Sequence, residues 1–222
     1  LVIPFTPEVA ALEGREFIEG LLRGAGRIRS LSVGEGFLFG RHRSGTVDLL
    51  GTLGAAHGFQ VHVAPPVALG GDTVSSSRIR QHLRDGKLEE AGELLGRPYS
   101  ISGRVIAGDQ VGRRLGFPTA NLDVRGLELP PNGVYAVRAR RLAASSDHPA
   151  VLNIGTRPTV ASPTAELRFE VHLLDFDGSL YGEELEITPI QRLRGERRFA
   201  DSGALGSQIA SDITVARGIL EG

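Results

Sequence analysis

A threonine hydroxyl at position 119 and an asparagine carboxamide at position 121 close a basic, glycine-rich run in this 222-residue chain. The block is Gly103–Asn121, GRVIAGDQVGRRLGFPTAN. Gly108 and Gly112 can bring backbone N–H groups close to a phosphate with no Cβ in the way. Arg113 adds a charge-assisted contact. If Thr119 and Asn121 lie in a strand, their side chains share a face and Ala120 turns to the other. A hydroxyl and a carboxamide oxygen are hard donors suited to Mg²⁺, an ion that usually arrives with nucleotide phosphates. The chemistry to expect is nucleotide-dependent phosphoryl transfer. Taken alone, the block also reads as a barrel hairpin with a glycine bulge and an exposed Thr/Asn face.

Composition narrows the classes. Hydrophobic content of 41% and charged content of 23% are ordinary for a globular protein. The net charge of −1 supplies no global basic field, so an anionic ligand must be held by local arginines. With 5% aromatics and no tryptophan, a nucleic-acid-binding barrel lacks both its basic groove and its stacking platforms. Zero cysteines exclude disulfides, thiolate zinc sites and cysteine nucleophiles. No apolar run approaches the roughly 20 residues of a membrane span, and no signal peptide is visible. The expectation is a cytoplasmic protein with small-molecule partners, no nucleic acid and no membrane; a homo-oligomer stays open.

The elements that must position these groups fall into two textures. Thr6-Pro7-Glu8 reads as a cap, first-turn proline and first-turn acid opening helical segments to about Arg23. Ile28–Val33 and Phe59–Val63 read as strands around a helix over Thr46–His57. Ser75–Arg84 and Lys87–Leu95 read as helices, the second closed by Gly96 and followed by Pro98. Strands alternating with helices indicate part of an α/β parallel sheet. After Tyr99 the strands are Ser100–Ala107, Gly133–Arg141, Val151–Ile154, Ala165–Asp175 and Glu184–Gln191. Asp177-Gly178 reads as a hairpin turn between the last two, and a helix over about Ala204–Leu220 follows with Ser202 as a candidate cap. Several short strands with turn signals indicate a small closed barrel. The boundary is expected near Gly96–Tyr99, giving an α/β domain over 1–97 and a barrel domain over 98–222.

At this point the residues resemble a known family, the bacterial bifunctional riboflavin kinase/FMN adenylyltransferases. The resemblance runs through Leu94–Tyr99, Gly103–Asn121, Gly133-Val134-Tyr135 and Asn153–Pro158. It continues through Glu170–Asp175, Leu180-Tyr181-Gly182 and Leu193–Phe199. In the first half, Val33–Gly40, Arg43-Ser44-Gly45 and Val74–Arg80 resemble the adenylyltransferase domain. The family implies ATP-dependent phosphorylation of riboflavin to FMN and adenylylation of FMN to FAD. It implies a Rossmann-like nucleotidyltransferase domain, here incomplete, followed by a six-stranded antiparallel β-barrel with a C-terminal helix. Another class remains beside it: a barrel that binds flavin or nucleotide without catalysis.

The resemblance also assigns roles. Thr119 and Asn121 would hold Mg²⁺ beside ATP, with Gly108, Gly112 and Arg113 at the phosphates. Glu170 would be the general base for the ribityl 5′-hydroxyl. Alternation puts Leu167, Phe169, Val171 and Leu173 on one face and Glu170 on the other with Arg168 and His172; an ordinary solvent-facing glutamate would show the same pattern. His172 is set aside as structural. Arg194 and Arg197 resemble the family's segment near the flavin, and a solvated charge cluster is the alternative. Asn153 reads as a supporting residue or an Asx-turn. Ser75, Ser76 and Arg78, at a helix start suited to anions, would meet phosphate in the adenylyltransferase site or simply cap a surface helix. The His-x-Gly-His motif of that site does not occur in the chain. The expectation is therefore FMN synthesis with little or no FAD.

Overall fold

The computed structural model describes residues 2–108, 111–157 and 166–221. Asp109 and Gln110 of the glycine-rich block, Pro158 of the Asn153–Pro158 motif and Ala165, the expected start of a strand, lie outside them. Contacts divide the chain into two units, Leu1–Val74 and Ser75–Gly222.

The first unit is an α/β region. Helix α1, Pro7–Ala10, starts where Thr6 accepts from the Val9 N–H, and α2 spans Gly14–Ala25. Strand β1, Ser30–Gly34, lies parallel to β2, Gln60–Ala64. Parallel strands need a crossover, and α3, Val47–His57, supplies it, capped by Thr46 and ended by Gly58 in the left-handed region. Ile18, Phe39, Leu50, Leu53 and Phe59 make its core. A hairpin of β3, Ala68–Leu69, and β4, Asp72–Thr73, was not among the expected elements. Its turn is Gly70-Gly71, both at positive φ, a pair that favours tight hairpins.

The second unit opens with α4, Ser76–Arg84, and α5, Leu88–Leu95. Arg84 fixes α4 to the loop before the barrel's third strand through a two-pronged bond to Glu128, 2.9 Å on each side. The remaining elements are β5 (Ile101–Ile106), α6 (Val111–Arg114), β6 (Ala120–Asp123), β7 (Gly133–Arg141), β8 (Ser146–Arg157), β9 (Glu166–Leu173), β10 (Glu184–Arg194) and α7 (Ser202–Leu220). The six strands close an antiparallel barrel in the order β10-β5-β6-β9-β8-β7. This is the six-stranded barrel with a C-terminal helix that the resemblance implies. Its interior is filled by alternate residues, among them Tyr135, Leu152, Phe169, Val171, Leu185 and Ile187. Fully burying an aliphatic or phenyl side chain of this kind stabilises by about 1.5–3 kcal/mol. Tyr135 keeps its hydroxyl paired with the Pro131 carbonyl, and burial pushes its pKa up.

Helix α7 covers part of the outer face, where Ala216 and Leu220 meet Val134, Ala136, Val151 and Leu174. Two arginines fasten it further. Arg138 donates to the Leu220 carbonyl at 2.8 Å, and Arg217 pairs with Asp175 at 2.7 and 2.8 Å. The Arg217 hydrogen bonds hold the Asp175 carboxyl below the usual carboxylate range.

Several local expectations need correction. Strands β9 and β10 are not neighbours, so Asp177-Gly178 makes no hairpin between them; barrel closure pairs β10 with β5 and β7 instead. The cap of α7 is Asp201, which accepts from the Ala204 N–H at 2.8 Å, rather than Ser202. Strand β8 is far longer than Val151–Ile154, since its pairing with β7 carries on through Pro149 to Ser146. Thr119 lies just before β6 rather than within it.

Candidate active site

Register places the polar residues in a row. Asn121 on β6 and Asn153 on β8 both lie opposite Glu170 on β9. Asn153 in turn faces Val134 on β7, and Val134 faces Arg194 on β10. Directly opposed residues on an antiparallel pair have Cβ atoms about 4.5–5.5 Å apart. Glu170 is thus flanked by two carboxamides. The sequence neighbours Ala120, Leu152, Ile154, Phe169 and Val171 all point into the barrel, so the row belongs to the outer face, the side that α7 covers. Asn153 is mid-strand, which settles it as a residue of this row and not of an Asx-turn.

Two cavities meet at the Thr119 segment, the larger on this outer face and the smaller against the inward-facing Val105, Ala120, Val171 and Leu173. The larger, about 400 Å³, is walled by Asn153, Arg168, Glu170 and His172 from the barrel and by Leu205, Ile209 and Ile213 from α7, with Arg194, Arg197 and Phe199 along one edge. The smaller, about 320 Å³, is lined by Arg113, Pro118 and Thr119 and by the connection Phe176–Tyr181. Thr119 lines both. The Asp177-Gly178 segment, displaced from its expected hairpin, is a wall of the second cavity.

The glycines act through close approach. A Cβ on Gly108 would stand 2.1 Å from the Asn121 amide nitrogen, and one on Gly112 would stand 2.4 Å from the Phe117 carbonyl and 3.2 Å from the Thr119 hydroxyl. Both are glycine because the loop lies directly on the two proposed ion ligands. Gly112 lines the larger cavity, whereas Gly108 and Asn121 line neither. Gly108→Ala is expected to displace the Asn121 side chain, a flexible group, with little loss of stability. The KM for Mg·ATP should rise by about tenfold or more while the unfolding temperature stays near that of the unmodified chain; an unchanged KM would separate Asn121 from the nucleotide.

Two ion pairs lie in the larger cavity. Arg168 donates to Glu170 at 3.2 Å, both side chains about a fifth exposed. Arg194 binds Asp212 of α7 through three contacts of 2.8–3.1 Å, and Gln208 donates to the same carboxylate at 2.8 Å. Asp212 is the buried charged residue among those described, 5% exposed. The Arg194 guanidinium also lies over the Phe199 ring, 5.7 Å from its centroid. Arg197 is exposed at the rim. Glu196 accepts from Asn132 at 3.0 Å and rests its carboxylate against Gly155, where a Cβ would stand 2.5 Å from it. Ser75 caps α4 by accepting from the Arg78 N–H at 3.2 Å, and Ser75, Ser76 and Arg78 line neither cavity.

Arg168, Gln208, Asp212 and Phe199 were not among the expected site residues. Asp212 carried a readable signal, a lone acid within Ile209-Ala210-Ser211-Asp212-Ile213, because a charge on an apolar helix face needs a partner. Phe199 had none beyond its place in the motif.

The donor set around Thr119 suits an ion delivered by its substrate. No group of three His, Cys, Asp or Glu able to hold a metal occurs among the described residues. Mg²⁺ bound with a nucleotide asks little of the protein, since phosphates and waters fill most of its six positions. A threonine hydroxyl and an asparagine carboxamide match that demand.

A six-stranded barrel with an acid set between carboxamides and two cavities meeting at Thr119 offers a concave site for small molecules. The riboflavin kinase family model matches residues 95–220, and the FAD synthetase model matches residues 1–78. The chain is 43% identical over 217 residues to the bifunctional riboflavin kinase/FMN adenylyltransferase of Escherichia coli K12, covering 98% of this chain and 68% of that protein. It is 39% identical to the protein of the same name from Pseudomonas fluorescens, covering 99% and 70%. A crystal structure described as a macrolide-efflux protein from Streptococcus pneumoniae superposes with a TM-score of 0.73 at 31% identity, over 96% of this chain and 67% of that one. No helix among the described residues is long and apolar enough to cross a membrane. The chain belongs to the bifunctional riboflavin kinase/FMN adenylyltransferase family.

Proposed function

We propose that the barrel transfers the terminal phosphoryl group of ATP to the 5′-hydroxyl of riboflavin, giving FMN and ADP. The observation that carries this is Thr119, shared by two cavities, with Glu170 in the wall of one and Arg113 in the wall of the other. Riboflavin occupies the larger cavity, its ring system between the barrel wall and α7 near Phe199 and Arg197, and its ribityl chain directed to Glu170. ATP occupies the smaller, with its phosphates beside Arg113 and Thr119. Glu170 takes the hydroxyl proton as the oxygen attacks phosphorus, and Asn121 and Asn153 hold the carboxylate in line. Mg²⁺, held by Thr119 and Asn121, neutralises charge on the phosphates when bound. Bringing two substrates to one shared wall accounts for much of the rate, because phosphoryl transfer depends chiefly on position and charge. The kinase domain is taken as 98–222. The 1–97 region is assigned to the second activity in the relatives' name, FMN adenylyltransferase, with Ser75, Ser76 and Arg78 as its phosphate contacts.

The direct test is product analysis by chromatography after incubating the purified chain with riboflavin, ATP and Mg²⁺. FMN is expected, and chelating the Mg²⁺ should abolish it. Riboflavin bound but unconverted would favour a binding module.

A further inference from the structure

His172 lies on the face of β9 that carries Glu170, and its ring lines the larger cavity. Its Nδ1, however, is directed at the Pro118 carbonyl, 2.7 Å away. The ladder between β6 and β9 pairs Asn121 with Glu170 and Ala120 with Val171, then stops. The next pair on that register would set Thr119 opposite His172. Pro118 has no N–H with which to carry a ladder onward, and residues 117–119 have left the strand. At this break the His172 imidazole, rather than a backbone N–H of β9, donates to the Pro118 carbonyl. A carbonyl only accepts, so Nδ1 is a nitrogen that carries a proton. The ring also meets Phe117 edge-on, with centroids 6.0 Å apart at 89°. Two of the three residues leading to β6 are thus held by one side chain, and the third is Thr119.

We propose that His172 is a positioning residue for the nucleotide's ion: it fastens Pro118 and so sets the Thr119 hydroxyl in the wall between the two cavities. The proposal rests on the phosphotransfer reading above. It gives His172 no part in proton transfer and no role in grasping the flavin, although the ring borders the flavin's cavity. The predicted signature is therefore crossed. Loss of the imidazole donor should be felt by the substrate in the cavity that His172 does not line.

Two variants and one spectrum test it. His172→Leu keeps apolar contact with Phe117 but donates nothing; His172→Asn places an amide N–H close to the Nδ1 position. His172→Leu should raise the KM for Mg·ATP by about tenfold, with the riboflavin KM within about twofold, and His172→Asn should recover the Mg·ATP value to within about threefold. Equal loss in both variants, or a larger rise for riboflavin than for Mg·ATP, overturns the proposal. Nitrogen-15 resonances of histidine in the ligand-free protein judge it without any turnover. A protonated Nδ1 is expected for His172, and a proton on Nε2 alone overturns it. An unmodified chain that binds riboflavin yet makes no FMN would instead sink the phosphotransfer reading, leaving the tautomer to decide the hold on Pro118.

Discussion

Glu170→Gln lowers kcat for FMN formation by about 100- to 10,000-fold, the range for removing a positioned general base, while riboflavin affinity stays within about twofold. Glutamine preserves the shape of the side chain and its place between Asn121 and Asn153, but it cannot take the hydroxyl proton. The Arg168 pair is partly solvated, so its weakening costs at most about 1 kcal/mol of stability. Steady-state kinetics beside flavin fluorescence titration separate the outcomes. Binding kept with turnover lost identifies the carboxylate as the base. Turnover that survives the change removes Glu170 from the mechanism, and a chain that binds flavin with no turnover in either form is a binding module.

Asp212→Ala should destabilise the barrel unit by about 3–5 kcal/mol, because it strands the Arg194 guanidinium in a largely buried position. For a unit of this size that is a fall of roughly 10 °C in unfolding temperature. The same change frees the edge of the larger cavity, since Arg194 and α7 are joined through Asp212, so riboflavin should bind more weakly as well. Combining Asp212→Ala with Arg194→Met should return much of the lost stability, as an apolar pair replaces a broken ion pair. Calorimetric scans of the three chains decide the matter. A single variant that melts with the unmodified protein would show that Arg194 finds water or another partner. The pairing also bears on the flavin role expected of Arg194. Its charge is matched inside the protein, leaving Arg197 as the exposed cation at the rim.

Local pattern made much of this legible. The alternation Leu167–Leu173 placed Glu170 on the face opposite Phe169 and Val171, as found. Helix ends marked by Thr6, Thr46, Ser75 and Gly96 were readable because caps and left-handed glycines leave short-range signatures. What could not be read was which residue stands opposite which. Asn121, Glu170 and Asn153 become neighbours only through pairings between strands distant in sequence, and no spacing along the chain records that. The same gap explains Asp177-Gly178, which has hairpin residues but joins strands that closure of the barrel keeps apart. Pro149 hid the first half of β8, because proline argues against a strand interior although its carbonyl there accepts from the Leu174 N–H. The motif residues Gly108 and Gly112 were noticed for openness to a ligand. Their contacts with Asn121 and Phe117 required the tertiary structure.

The belt from Asn121 to Arg194 has a bearing on how the molecule avoids error. Side chains on a strand alternate between faces, so sliding β9 by a single residue would carry Glu170 into the oily interior and turn Phe169 out to water. One mistake would thus undo the packing and remove the acid from its row together. A misthreaded molecule cannot persist as a stable but idle impostor, and every copy sturdy enough to survive in the cell is also one whose acid is correctly aimed.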